Sequence, residues 1–196
     1  TFGRDGRLGN ALAATDAAAP AIHPELTDNV FHRLELGEDF PDIRASAPVR
    51  LTRTYKLARQ AIVPLEGRGV VALWDERANQ LVVYSSTQSP HLIRNGLAEF
   101  LKLDQNRIRV VAPDVGGGFG YKAILHPEEL ILGFLAYKLK RPLRWLEDRR
   151  EHLTAGANCR EHIYNVTVYG DTQGQLLGLD AEVIVDAGAY SIWPHT

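Results

Sequence analysis

One cysteine and no methionine occur in 196 residues. A lone Cys159 excludes an internal disulfide framework and any zinc or iron–sulfur site built from several thiolates, and it is expected as a half-buried structural thiol. No apolar run approaches the roughly 20 residues that a membrane-spanning helix needs, and no secretory signal opens the sequence. A cytoplasmic protein without a membrane span is therefore expected, and the glycosylation-type triplet at Asn165 has little meaning. Positive charge is not in excess: 22 Lys and Arg stand against 24 Asp and Glu, for a net charge of −2. Without a basic stripe, nucleic acid is not an expected partner. His126 and His152 lack the spacing of a His-Glu-x-x-His metal site and are expected as ordinary surface or capping residues. Both ends look cut, since no initiator methionine begins the chain and it stops just after a strand-like run.

What is present is an ordinary globular composition, 45% hydrophobic and 23% charged, over a length that suits one sizeable domain or one domain with part of another. Residues 1–49 are rich in Ala and Pro without a clean period and read as a linker or wrapping segment, with a short helix near 11–19. From there the pattern tightens. "GVVALWD" and "LVVYSST" flank a polar "ERANQ" and predict a hairpin. "SPHLIRNGLAEFLKL" predicts a helix with Ser89 as N-cap and Pro90 at its first position, and with Ile93, Leu97, Phe100 and Leu101 on one face. "RIRVVAP" reads as a buried strand. "HPEELILGFLAYKLKRP" predicts a second helix, acidic at its start and basic at its end, apolar nearly all round and so deeply buried. "PLRWLED" reads as a strand, and the alternation in "IYNVTVYGDTQGQLLGLDAEVIVDAG" as a second hairpin. The fold class is α+β: mixed sheets with hairpins and at least two packed helices.

Between the first long helix and the second stands "VVAPDVGGGFGYK", running from Val110 to Lys122. Its glycines cost roughly 0.5–1 kcal/mol each relative to alanine in ordered structure, so a fold-level or ligand-level compensation is needed. Gly118-x-Gly120-x-x-Ala123 fits a loose dinucleotide-binding fingerprint, but the helix begins only at Pro127, too late to receive a pyrophosphate. A phosphate loop of the Walker type requires Gly before Lys and Ser or Thr after it, where Tyr121-Lys122-Ala123 stands. A main-chain cradle for a bulky, oxygen-rich cofactor remains, with Phe119 as an apolar plug that holds its shape, alongside a tight turn that serves packing alone.

The stretch Gly116–Lys122 resembles the molybdopterin loop in the large subunit of the xanthine oxidase, aldehyde oxidase and carbon monoxide dehydrogenase family. "SSTQSPHLIRNGLAEFL", "RPLRWLEDRREHL" and "DAGAYS" are similar to three further motifs of that family, in family order. The resemblance covers roughly the last 130 residues, and it implies that 50–196 is the N-terminal part of a molybdopterin-binding domain, truncated. Carried over residue by residue, it implies that Gln88 points its amide at an oxygen of molybdenum, and that the backbone of Gly117, Gly118, Phe119 and Gly120 lines the cofactor. No side chain would ligate the metal directly, because the cofactor holds it. The implied activity is that of an oxidoreductase hydroxylating its substrate with water-derived oxygen. Molybdopterin, in a dinucleotide form, is the implied cofactor, with FAD and 2Fe-2S clusters on partner subunits. The remainder of the molybdenum subunit, an FAD-binding subunit, an iron–sulfur subunit and a small-molecule substrate are the implied partners. The general-base Glu is expected beyond Thr196, so the isolated 196 residues are expected to be inactive.

Departures narrow the substrate. Purine hydroxylases carry Glu where Ala123 stands and a substrate-binding Arg where Ala157 aligns, with Arg160 three residues away. An aldehyde or an N-heteroaromatic compound is therefore expected. Glu147, Asp148, Arg149 and Arg150 are expected as a solvated or interdomain ion-pair network. The alternatives are a Rossmann-like NAD-binding dehydrogenase domain, or an inert scaffold or interaction fragment.

Overall fold

The structure, a computed structural model, describes residues 19–25, 28–30 and 32–188. The helix expected near 11–19, but for residue 19, and the end of "DAGAYS" lie outside them. The described chain divides into two compact units: Ala61–Cys159 forms one, and the residues up to Gln60 form the other with those from Arg160 onward. The first hairpin, the glycine loop and both long helices all belong to Ala61–Cys159.

That unit is built on a four-stranded sheet. In chain order the other unit contributes α1 (Pro41–Ser46) and β1 (Val49–Leu57), and the sheet strands then follow as β2 (Gly69–Asp75) and β3 (Gln80–Ser85). These two form the expected antiparallel hairpin, from Val70 opposite Ser85 to Asp75 opposite Gln80. Helix α2 (Pro90–Leu101) crosses over to β4 (Ile108–Val111), which pairs parallel to β3. A crossover helix is the economical connection for a parallel pair. After helix α3 (Pro127–Leu139), β5 (Leu143–Leu146) adds antiparallel to the free side of β2, completing the order β4-β3-β2-β5. Mixed pairing and segregated helices give the α+β class that the sequence predicts.

The core forms where the two helices meet the sheet. Val70, Ala72, Leu81, Val83, Ile93, Leu97, Ile108 and Ala136 are buried together. Small residues on α3 allow the close approach, since a β-carbon on Gly133 would lie 2.8 Å from Leu97 Cδ2. Two expectations are corrected here. Helix α3 buries only Glu129, Gly133 and Ala136 and leaves Ile131, Phe134 and Leu139 exposed, so its apolar character does not put it deep inside. Phe100 of α2 is likewise exposed, because α2 turns only the Ile93, Gly96 and Leu97 side inward. Ser89 takes the N-cap position of α2, but its hydroxyl makes no capping bond. Its carbonyl instead accepts from the amides of Leu92 and Ile93, while the Thr87 hydroxyl accepts from its own amide.

The other unit is a three-stranded antiparallel sheet in the order β1-β6-β7, with β6 (Glu161–Gly170) and β7 (Leu176–Asp186) forming the second expected hairpin. Tyr169, Gly178 and Asp180 lie on one face, under α1. Phe40 meets the Tyr169 ring edge-on at 5.7 Å, and Arg44 makes a two-pronged contact with Asp180 at 2.9 and 3.0 Å. By register the opposite face carries Leu51, Val168 and Leu179, then Tyr55, Tyr164 and Val183, then Leu57, His162 and Val185. Of these, Leu51, Tyr55, Leu57, Leu179, Val183 and Val185 are exposed.

Among the described residues, no helix is long and apolar enough to cross a membrane.

Candidate functional site

The glycine loop leaves β4 and ends in a single 3-10 turn, Tyr121–Ala123, before α3 begins at Pro127. A dinucleotide fingerprint would lead straight into a helix, so the structure removes the Rossmann reading on geometry. Gly117 and Gly120 have φ values of +92° and +90°, a region in which a β-carbon is strained, and this accounts for glycine at both. Phe119 also has a left-handed φ, +53°, an unusual conformation for a bulky residue. The residue is 76% exposed, and its ring packs across Gly117, with Cε2 3.1 Å from where a β-carbon there would stand. Phe119 is thus no plug set into the protein, as the sequence suggests; its ring covers the outside of the loop.

Gln88 sits where β3 gives way to α2, and the structure brings it onto the loop. Its Oε1 accepts a hydrogen bond from the Gly120 amide at 3.0 Å. Its side chain fills the space a β-carbon on Gly118 would need. Among the described residues, Gln88 Nε2 and the backbone amides of Gly117, Gly118 and Phe119 have no protein acceptor, while the amides on either side of that trio are taken by Glu66 and Gln88. Three successive main-chain donors and a side-chain NH2 group are therefore gathered at one loop, where Gln88 and Phe119 are exposed, Gly117 is half-buried and Gly118 is buried. Neutral donors so placed suit an anionic, oxygen-rich group.

Beneath the loop lies a polar network, most of whose members the sequence reading did not single out. Lys122 is 1% exposed, and its Nζ donates to Glu66 Oε2 at 2.6 Å. The same oxygen accepts from the Gly116 amide at 2.8 Å. Burial by itself would raise the Glu66 carboxyl, but the hydrogen bonds from Lys122 and Gly116 override it and hold Glu66 below the usual carboxylate range. Next to it, Tyr121 donates its hydroxyl to Glu147 Oε1 at 2.6 Å and stacks on His152 with ring centroids 4.5 Å apart. Burial first, and the bond to Glu147 second, push the Tyr121 phenol well up. Arg68 binds Glu147 and Glu128 together, at 2.9 and 2.7 Å, with its guanidinium against the Tyr121 and Trp145 rings. Burial would raise the Glu147 carboxyl, yet the Tyr121 hydroxyl and Arg68 keep it low.

Several expectations change accordingly. Glu147 is neither solvated nor between units: its side chain is 1% exposed, and its partners lie inside Ala61–Cys159. Asp148 caps α4 (Arg149–Ala155), accepting from the Glu151 amide, and Arg149 reaches the carbonyls of Pro64 and Leu65. His152 is buried, and its Nε2 donates to the Ile62 carbonyl at 2.6 Å. His126 is buried at the N-cap of α3, where Nε2 donates to the Tyr121 carbonyl at 2.8 Å. Burial, assisted by the Arg68 charge, moves its pKa down and keeps the ring neutral. Glu129 accepts from the Ser85 hydroxyl and the His126 amide, but burial wins and raises it to about 7. Cys159 is exposed, not half-buried. The motif Lys was the signal for this network; the rest needs the tertiary pairing to be seen.

A donor-rich cradle facing a side-chain amide, carried on a mixed sheet with two helices, marks a cofactor-binding domain. The chain belongs to the molybdopterin cofactor-binding domain family, whose model matches residues 22–196. It is similar to the nicotine 6-hydroxylase large subunit of Paenarthrobacter nicotinovorans, 35% identical over 179 residues that cover 90% of this chain and 22% of that subunit. It also resembles the carbon monoxide dehydrogenase large chain of Hydrogenophaga pseudoflava, 32% identical over 146 residues, 74% of this chain and 18% of that one. Among solved structures, quinoline 2-oxidoreductase from Pseudomonas putida 86 superposes with a TM-score of 0.69 at 37% identity, covering 79% of this chain and 20% of that one. The chain thus spans about a fifth of the length of the curated relatives it matches.

Proposed function

We propose that this chain is the cofactor-cradling part of the large subunit of a molybdenum hydroxylase that oxidises an N-heteroaromatic substrate. The observation that carries the reading is the set of unclaimed donors at one loop: the amides of Gly117, Gly118 and Phe119 with Nε2 of Gln88. A β-carbon on Gly120 would meet nothing within 4 Å, so the loop also leaves room on that side for a bulky group. When bound, molybdopterin would supply the redox-active oxo-metal centre. This chain's own residues bind and orient it: the loop amides and Gln88 donate hydrogen bonds to its anionic oxygens, and the exposed Phe119 ring borders it. Held by fixed dipoles, such oxygens are stabilised without reorganisation of the protein at the moment of reaction.

The substrate class is supported by two similarities, since the relatives named for nicotine 6-hydroxylation and quinoline oxidation both act on compounds with a pyridine-type ring. Ala123 and Ala157, where purine hydroxylases have Glu and Arg, argue against a purine. An FAD-binding subunit and a subunit with 2Fe-2S clusters would take the electrons onward, and the assembly would reside in the cytoplasm. The test is to produce the full-length large subunit with its partner subunits, assay molybdenum and pterin, and measure oxidation of quinoline and nicotine. Stoichiometric molybdenum with heteroaromatic turnover is expected. A complex that turns over these substrates without molybdenum overturns the proposal.

A further inference from the structure

We propose that Lys122 and Glu66 are positioning residues that fix the glycine loop and Gln88 in one frame; this rests on the cofactor-cradle reading above. Both proposed contact elements refer back to Lys122. Its carbonyl accepts the Gln88 amide at 2.9 Å and the Thr87 hydroxyl at 3.1 Å, so it sets the turn from which the Gln88 side chain projects. Its ammonium, on a side chain with no exposed surface, reaches the other way to Glu66 Oε2. That oxygen also takes the Gly116 amide, and the Glu66 amide returns a bond to the Gly116 carbonyl at 3.4 Å. The two ends of the loop, Gly116 and Lys122, are thus joined through a single carboxylate oxygen. A β-carbon on Gly116 would lie 2.7 Å from Glu66 Cβ, so the approach is close as well as bonded.

The chemistry explains why a charge is placed there. A glycine-rich stretch with left-handed residues at Gly117, Phe119 and Gly120 has many competing conformations, and its three free amides diverge unless its ends are held. A buried ammonium is costly without a partner, and Glu66 is the acidic group that contacts it. The pair acts through the loop, by holding the two ends between which the donors project. The glycines supply the donors, and Lys122 with Glu66 gives those donors a fixed direction.

The experiment uses the full-length large subunit in its assembled complex, as wild type and as Glu66→Ala, Glu66→Gln and Lys122→Met. Hydrogen–deuterium exchange is read at the Gly116 and Gly120 amides, the two between 116 and 120 that have protein acceptors, and, as an internal control, in β2, β3 and α2. Molybdenum content is measured on the same samples. Glu66→Ala and Lys122→Met are expected to speed exchange in the loop by roughly tenfold or more with less than about twofold change in the control elements. Molybdenum retention is expected to fall with loop protection. Glu66→Gln keeps an acceptor for the Gly116 amide but loses the charge opposite Lys122, so its loop exchange is expected to fall between wild type and Glu66→Ala. Wild-type loop exchange in Glu66→Ala and Lys122→Met overturns the inference. So does faster exchange spread evenly over the control elements, or a Gln variant no better than Ala. Should the wild-type complex hold no molybdenum, the cradle reading falls, while the loop-exchange comparison still decides whether the pair fixes the loop.

Discussion

The side-chain oxygen of Gln88 occupies the place where a β-carbon on Gly118 would have to stand, while accepting the Gly120 amide from the same loop. The two residues come from different ends of the sheet motif, 30 positions apart, and the side chain of one takes the space a side chain on the other would need. Glycine at 118 therefore answers to packing against an amide and not to backbone twist, since its φ is not among the left-handed ones.

Gly118→Ala and Gly120→Ala should accordingly fail for different reasons. The alanine at 118 collides with Gln88 and displaces it, so molybdenum content and turnover are expected to fall by about tenfold or more, as with a misplaced contact in a preorganised site. At 120 a β-carbon meets no atom but strains the backbone at φ +90°, with an expected cost of about 1–2 kcal/mol and a smaller loss of cofactor. Metal analysis of the two purified complexes separates the cases.

Gln88→Ala removes one exposed acceptor and one free donor. Stability should change by no more than about 0.5–1.5 kcal/mol, while turnover drops by roughly two orders of magnitude if its NH2 group faces the reacting centre. Equal turnover in wild type and variant would count against that contact.

Arg68→Met leaves Glu147 and Glu128 facing each other without their shared cation. Because Glu147 is buried, a loss of roughly 3–5 kcal/mol is expected, visible as a lower thermal midpoint of the large subunit and as faster exchange in β2 and β5. Arg68→Lys should recover only part of this, as an ammonium lacks the fork that reaches both carboxylates at once.

Glu129 makes this unit's stability depend on pH. With its native pKa raised to about 7 from an ordinary value of 4.5, the folded state binds a proton the unfolded state has released. The stabilisation from that proton is complete below about pH 4.5 and is lost as pH rises through about 7, a change on the order of 3 kcal/mol. Glu129→Gln should flatten that slope. Exchange protection in β3, corrected for intrinsic rates and followed from pH 5 to 8, measures it.

Much of the scaffold was legible because its signals are local. The hairpin of β2 and β3 announces itself through β-branched runs around a polar turn, and α2 and α3 through proline at the first helical position. β1 was not visible as a strand: its partner β6 lies over a hundred residues away, and every residue of β1 is exposed, so no burial pattern marks it. The exposed outer face of α3 was missed because apolar residues all round a helix do not reveal that glycine and alanine make the contact side. Gln88 and the loop, which the structure brings together, were singled out through motif order. The roles of Glu66, Arg68 and Tyr121 were not, since each depends on partners 26 to 79 positions distant.

The apolar face of the β1-β6-β7 sheet bears on how the protein must be handled. Two edge strands flank a surface rich in Leu, Val and Tyr, a combination that templates pairing between copies. Preparations of these 196 residues should self-associate more readily as concentration rises, and salts that strengthen apolar burial should hasten this. Dilute, low-salt handling and a charged substitution such as Val183→Lys on β7 are the corresponding remedies.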